Sequence, residues 1–120
     1  SLSMKGTEVF RFLISFHIND IRDSITQIEE YMLSVSEENF KKNKLLQDGV
    51  IRRFEIIGEA SRNIPRALKE KNKQVPWFDM AQFRDLVSHN YFEIGLDRVW
   101  KAVKKNIPII KEALNKVSLI

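Results

Sequence analysis

Apolar residues recur along the first third of the chain at alternating spacings of four and three: Ile14, Ile18, Ile21, Ile25, Ile28 and Met32. A helix turns once every 3.6 residues, so this rhythm lays one apolar stripe along one face. Asn19, Asp20, Arg22, Asp23, Gln27, Glu29 and Glu30 take the other faces. Thr7 followed by Glu8 predicts the N-cap of this helix. Phe10, Phe12, Leu13 and Phe16 widen the apolar surface at its N-terminal end beyond what one buried face needs, which predicts contact with a second chain. His17 lies between Ile14 and Ile21 and reads as a histidine at the edge of the core.

Residues 34–43 are polar and break the rhythm, with Ser36-Glu37-Glu38-Asn39 suited to starting one short turn. A second long helix is predicted over residues 44–63, with Leu46, Val50, Phe54, Ile57 and Ile64 as its stripe, widened by Ile51. Gly58 interrupts it where glycine costs about 1 kcal/mol relative to alanine, which predicts close helix packing. Arg52, Arg53 and Arg62 read as a solvated face. Pro65 is placed to begin a short helix, and the segment up to Gln74 is basic, with Arg66, Lys69, Lys71 and Lys73. Val75-Pro76-Trp77 is expected to be extended. Asp79 is expected to cap a third helix through Met80, Phe83, Leu86 and Val87 to about Asn90, after which Gly95 and Asp97 punctuate the chain. A last stripe runs through Val99, Val103, Ile107, Ile110, Leu114 and Val117, and Pro108 within it predicts a kink or a split. Trp77 and Trp100 read as packing residues.

Four main helices with short extra ones, in an all-α, up-and-down four-helix bundle, is the architecture this pattern predicts. It forms a single domain over residues 4–120, with Ser1-Leu2-Ser3 before Met4 read as an expression remnant. The 120-residue length suits one core. A composition 43% hydrophobic and 30% charged is that of a folded globular chain. Four glycines and three prolines leave few turns, in keeping with long helices. No cysteine is present, which excludes disulfides, thiol nucleophiles and Cys-based zinc sites and fits a cytoplasmic location. Two histidines speak against a His-based metal site, and no metal or cofactor is expected. No apolar run reaches the roughly 18 residues of a membrane span, and Lys5, Glu8 and Arg11 interrupt any signal-peptide pattern. The net charge of +4 permits an anionic partner such as RNA without requiring one.

Groups able to do chemistry concentrate in one place, Arg84-Asp85-Leu86-Val87-Ser88-His89-Asn90-Tyr91-Phe92. A guanidinium holds a phosphate in bidentate fashion, an imidazole moves protons near neutral pH, and a phenol donates a hydrogen bond or acts as a nucleophile. On a regular helix Arg84 and Tyr91, seven apart, share a face, whereas His89 lies about 140° round from Arg84. One straight helix would not aim all three at one atom. Either the helix loosens near Asn90 or a symmetric second copy completes the site. The plain structural alternative is that His89 and Tyr91 cap a helix C-terminus while Arg84 pairs with a nearby carboxylate.

The stretch resembles the R-x4-H-x-Y motif of the HepT-like proteins of the HEPN superfamily. Further landmarks agree in order: Asp20-Ile21, Ile28-Glu29-Glu30-Tyr31, Ile56-Ile57-Gly58-Glu59-Ala60, Val75-Pro76-Trp77, Asp97-Arg98-Val99-Trp100 and Ile107-Pro108. The resemblance spans about residues 10 to 114. It implies a helical bundle that homodimerises and cleaves RNA without a metal, restrained by a cognate MntA-like minimal nucleotidyltransferase in a toxin–antitoxin pair. It makes Arg84 and His89 the catalytic residues and Tyr91 the residue that the partner adenylylates. Two positions depart from the family's usual form: Asp85 stands where Asn is common, and Asn90 where Asp is common.

The chemistry the resemblance implies is attack of a ribose 2′-OH on its own 3′ phosphate, with His89 moving the proton and Arg84 stabilising the phosphorane. Asp85 puts a negative charge beside a phosphate site. It is the feature favouring the alternative, a non-catalytic nucleotide- or partner-binding module that serves a nucleotidyltransferase.

Overall fold

The isoleucine stripe forms the spine of the core. In the computed structural model, which describes residues 5–86 and 92–118, Ile14, Ile18, Ile21, Ile25, Ile28 and Met32 are all buried. They lie on or just past α1 (Gly6–Tyr31). The helix starts earlier than its expected cap. The Glu8 and Val9 amides both donate to the Lys5 carbonyl at 3.0 Å, so the hydrogen-bond ladder opens at Lys5, and Thr7 falls inside the first turn. No side chain caps this end.

The polar break after α1 holds one short helix, α2 (Glu37–Lys42). Ser36 caps it by accepting from the Asn39 amide at 3.1 Å, and Phe40 is buried against the core. Asn43 then caps α3 (Lys44–Arg62) by accepting from the Leu46 amide at 3.0 Å. The start of α3 lies against the end of α1, where Gly49 faces the Tyr31 ring, so the two helices run antiparallel. Val50, Phe54 and Ile57 are fully buried between them.

Pro65 occupies the extended position before α4 (Arg66–Lys71), where its missing N–H costs nothing. Beyond α4, Asn72 is a buried polar hub. Its side-chain amide donates to the Leu68 and Ser118 carbonyls at 2.9 Å each, and its oxygen accepts from the Ser118 amide at 2.8 Å. Its backbone carbonyl accepts from the Trp77 indole at 3.0 Å. The end of α4, the start of the next helix and the C-terminal segment are thereby tied at one point.

That next helix, α5 (Trp77–Gln82), begins two residues before the expected cap. The Met80 amide already donates to the Pro76 carbonyl at 3.0 Å, so Asp79 sits in the first turn, where a carboxylate suits the helix dipole. Val75-Pro76 is non-helical as expected, but Trp77 belongs to the helix. The expected run to Asn90 also does not hold. After Gln82 the chain tightens into a 3-10 turn (Phe83–Asp85), closed by the Leu86 amide on the Phe83 carbonyl at 3.3 Å. The continuation through Val87 to Asn90 lies outside the described residues.

Gly95 and Asp97 do not interrupt the chain. Both lie inside α6 (Phe92–Lys101), Gly95 on its buried side and Asp97 reaching outward to an ion pair with Lys41 of α2. A π-helical turn (Ala102–Asn106) follows, and α7 (Ile107–Leu114) carries Pro108 in its first turn. Proline has no N–H and its ring crowds the carbonyl four residues back. The wider turn accommodates this without ending the helix. The successive spacings of four at Val99, Val103 and Ile107 match that wider turn, and all three remain buried. Lys111 pairs with Glu29 at 2.9 Å and Arg22 donates to the Leu114 carbonyl at 3.1 Å, which seats α7 antiparallel on α1. Every regular element among the described residues is helical, so the chain is all-α. None of these helices is long and apolar enough to cross a membrane.

Candidate functional site

Arg84 stands on the 3-10 turn, which meets α3 at three points. Phe83 packs its ring edge-on to Phe54 with centroids 4.9 Å apart. Gly58 lets the backbones meet: a β-carbon there would lie 2.7 Å from the Arg84 amide nitrogen and 3.3 Å from the Ala81 carbonyl oxygen. The neighbour of Gly58, Glu59, receives the guanidinium, with Arg84 Nη1 3.5 Å from Glu59 Oε2. The close packing expected at Gly58 is therefore a contact with the candidate site itself.

The Arg84–Glu59 pair is open to water, with side chains 49% and 61% exposed. Water screens it, and it contributes little to stability. Exposure leaves Arg84 accessible to an anionic ligand that displaces or shares the carboxylate. Asp85, next in the turn, is also exposed. His89, Asn90 and Tyr91 lie outside the described residues, so the structure places one end of the motif and not the other. Its downstream flank is anchored: α6 starts at Phe92 and is held to α2 by the Lys41–Asp97 ion pair and by Phe40 packing on Trp100 at 5.9 Å. The bond from Lys41 to the Asp97 carboxylate raises the lysine's pKa; desolvation opposes it as the next largest effect, and the bond to Glu37 adds a smaller rise.

Trp77 and Trp100 are packing residues. Trp77 is buried, and Trp100 lies between Phe40 and the Lys104 ammonium, which sits 4.8 Å from its ring centroid. His17 is half-buried beside Phe16, at the edge of the core. The expected apolar excess at the start of α1 is present: Phe10, Phe12, Leu13 and Phe16 are each at least half exposed. Sequence reasoning anticipated a carboxylate partner for Arg84 but did not identify it as Glu59. The signal was there in the adjacency of Gly58 and Glu59, a glycine that permits contact beside a charge able to use it.

Comparison with known proteins bears on what this arrangement does. The family model described as "HepT-like: Ribonuclease HepT-like" matches residues 21–117. A Thermococcus cleftensis protein named "Probable ribonuclease HepT" is 41% identical over 101 residues, covering 84% of this chain and 92% of that protein. A Methanocaldococcus jannaschii protein named "Gamma-glutamylcyclotransferase and putative RNase" is 43% identical over 104 residues, covering 87% of this chain. The chain spans only 47% of that longer protein. No solved structure matches the chain.

Proposed function

This chain belongs to the HepT-like ribonuclease family, and from that premise we propose that it is a metal-independent endoribonuclease whose site is built from Arg84, His89 and Tyr91. The observation that carries this reading is Arg84: an exposed guanidinium on a turn whose backbone packs on Gly58 and which leads into the rest of the motif. In the proposed reaction His89 removes the proton from a ribose 2′-OH as its oxygen attacks the adjacent 3′ phosphorus. The phosphorus–O5′ bond breaks, and the proton held by His89 is passed, directly or through water, to the departing 5′ oxygen, which leaves a 2′,3′-cyclic phosphate and a free 5′-OH. Arg84 stabilises the charge of the five-coordinate phosphorane. The nucleophile is the substrate's own hydroxyl, so the step does not need a metal-activated water. Tyr91 hydrogen-bonds the phosphate or orients His89.

The reading extends to assembly and control. A homodimer would bring two copies of the motif to one cleft, and the exposed Phe10, Phe12, Leu13 and Phe16 supply apolar surface for such contact. In a toxin–antitoxin pair, an MntA-like nucleotidyltransferase partner would adenylylate Tyr91, placing bulk and negative charge where RNA phosphate must enter. The test is incubation of the purified protein with mixed RNA in EDTA, beside Arg84→Ala and His89→Ala. Cleavage by the wild type alone, with cyclic-phosphate ends, supports the reading. Cleavage that persists in His89→Ala overturns the site assignment. The exposed carboxylate of Asp85 favours a second reading, a non-catalytic nucleotide- or partner-binding module. It predicts no RNA cleavage by unmodified protein, together with nucleotide transfer onto Tyr91 in the presence of the partner enzyme and ATP.

A further inference from the structure

A concave surface of about 350 Å³ lies between the end of α4 and the start of α5, lined by Lys69 and Lys73 on one side and by Pro76, Trp77 and Phe78 on the other. Phe78 is 76% exposed. Its position follows from the fold: the Trp77 indole is pinned inward on the Asn72 carbonyl, and the next residue of a helix points about 100° away. Apolar rings on a protein surface are ordinarily accounted for by what they contact, and here the ring shares its concave surface with Lys69 and Lys73. Among the described residues, no carboxylate pairs with Lys69 or Lys73. Glu70, which also lines the surface, is already paired with Arg66 at 3.1 Å, and Asp79 is the other acidic group of the lining. Partial burial, and secondarily the nearby Arg62, lower the pKa of Lys69, so its charge sits in a setting that an anion would relieve.

An exposed aromatic face next to unpaired cations is the chemistry that binds an unpaired nucleotide, the ring stacking on the base and the cations holding its phosphate. Phe78 lies six residues before Arg84 on the same run of helix and turn, about 9 Å along the axis and, at 100° per residue, about 120° round it. A strand of RNA that curves round this run of helix reaches both. We infer that Phe78, Lys69 and Lys73 form a second RNA-binding subsite, which holds an unpaired nucleotide of the strand whose phosphate Arg84 engages. This rests on the ribonuclease reading for the identity of the ligand, and it adds to that reading a preference for single-stranded RNA.

The experiment titrates wild type, Phe78→Ala, Phe78→Trp and Lys69→Gln/Lys73→Gln with a labelled 2′-O-methyl oligonucleotide of about 12 nucleotides, a length within the usual range for single-strand sites. The 2′-O-methyl groups cannot attack, so binding is read without cleavage. The same oligonucleotide is also presented as a duplex, and cleavage of ordinary RNA at saturation is followed in parallel. Phe78→Ala is expected to weaken single-strand binding by about tenfold or more, with Phe78→Trp restoring it. The lysine pair is expected to lower the slope of log affinity against log salt by about 1.4, or 0.7 for each phosphate contact on a single strand. Wild-type affinity in Phe78→Ala, or equal loss for single strand and duplex, overturns the subsite even if the protein cleaves RNA. Phe78-dependent binding without any cleavage upholds the subsite and defeats the ribonuclease reading. A wild type that neither binds nor cleaves defeats both.

Discussion

Gly58 and Arg84 are in backbone contact: a β-carbon at residue 58 would come within 2.7 Å of the Arg84 amide nitrogen. The relationship joins the middle of α3 to the turn bearing the candidate catalytic arginine, and it gives Gly58→Ala a decisive sign. On helix propensity alone, alanine would stabilise α3 by about 1 kcal/mol. If the contact dominates, the turn must move away, and overpacking of this kind costs about 1–3 kcal/mol. The nearest atoms are two backbone atoms and the Arg84 β-carbon, none of which can swing aside. The expected result is a lower unfolding midpoint in urea and a larger proportional loss of RNA cleavage, because Arg84 moves with the turn. A variant more stable than wild type would mean that the contact is slack.

Glu59 makes the opposite kind of contribution. Its pair with Arg84 is exposed and 3.5 Å long, so Glu59→Gln is expected to change stability by less than about 1 kcal/mol. The carboxylate does, however, compete with phosphate for the same guanidinium. Removing its charge is expected to tighten binding of a non-cleavable RNA strand, by up to about tenfold at low ionic strength, with the gain fading as salt screens it. Weaker binding in Glu59→Gln would show instead that the carboxylate aims Arg84 rather than competing for it.

The contrast between these two neighbours explains what was legible in the sequence. The stripes at Ile14 to Met32 and at Val99 to Leu114 could be read because helical burial repeats over a few residues. The start of the short helix at Ser36 could be read because its cap is a hydrogen bond three residues long. The Gly58–Arg84 contact joins residues 26 apart in the chain, and only the packing of α3 on the 3-10 turn reveals it. Gly95 and Asp97 misled for a related reason. As isolated residues they resemble punctuation, but burial of the glycine side of α6 and the Lys41–Asp97 pair keep the helix intact. Pro108 gave a correct warning of irregularity, which the fold met with a π turn. The motif's Arg84 is placed by this packing, whereas His89 and Tyr91 lie outside the described residues, and their roles rest on the family resemblance.

Ser24 tests the core independently of the site. Its hydroxyl is buried in α1 and has no hydrogen-bond partner among the described residues. A buried unpaired hydroxyl costs about 1–3 kcal/mol, and alanine is also the better helix former. Ser24→Ala is therefore expected to raise the urea midpoint by the equivalent of about 1 kcal/mol and to leave RNA cleavage unchanged. A fall in stability would mean that the hydroxyl is satisfied.

Lys69 and Lys41 predict opposite pH dependences. Asp97 raises the pKa of Lys41 above the ordinary 10.5, so the stabilisation from that pair is fully present below 10.5 and is lost as pH rises through the higher folded-state value. Burial lowers the pKa of Lys69, so its charged form is disfavoured in the fold, and stability is recovered as pH rises from the lowered value towards 10.5. Lys69→Met removes a charge that the fold tolerates poorly. Its melting temperature at neutral pH is expected to equal or exceed that of wild type, while its affinity for single-stranded RNA falls. Asp97→Asn is expected to melt only slightly lower at neutral pH, because the pair is exposed, and to lose less stability than wild type between pH 10 and 11.5. Thermal melts from neutral pH to 11.5, paired with RNA titration at neutral pH, read both effects. If Lys69→Met melted lower and bound RNA unchanged, the lysine would be a structural residue, and the cost of its charge would lack the functional purpose assigned to it above.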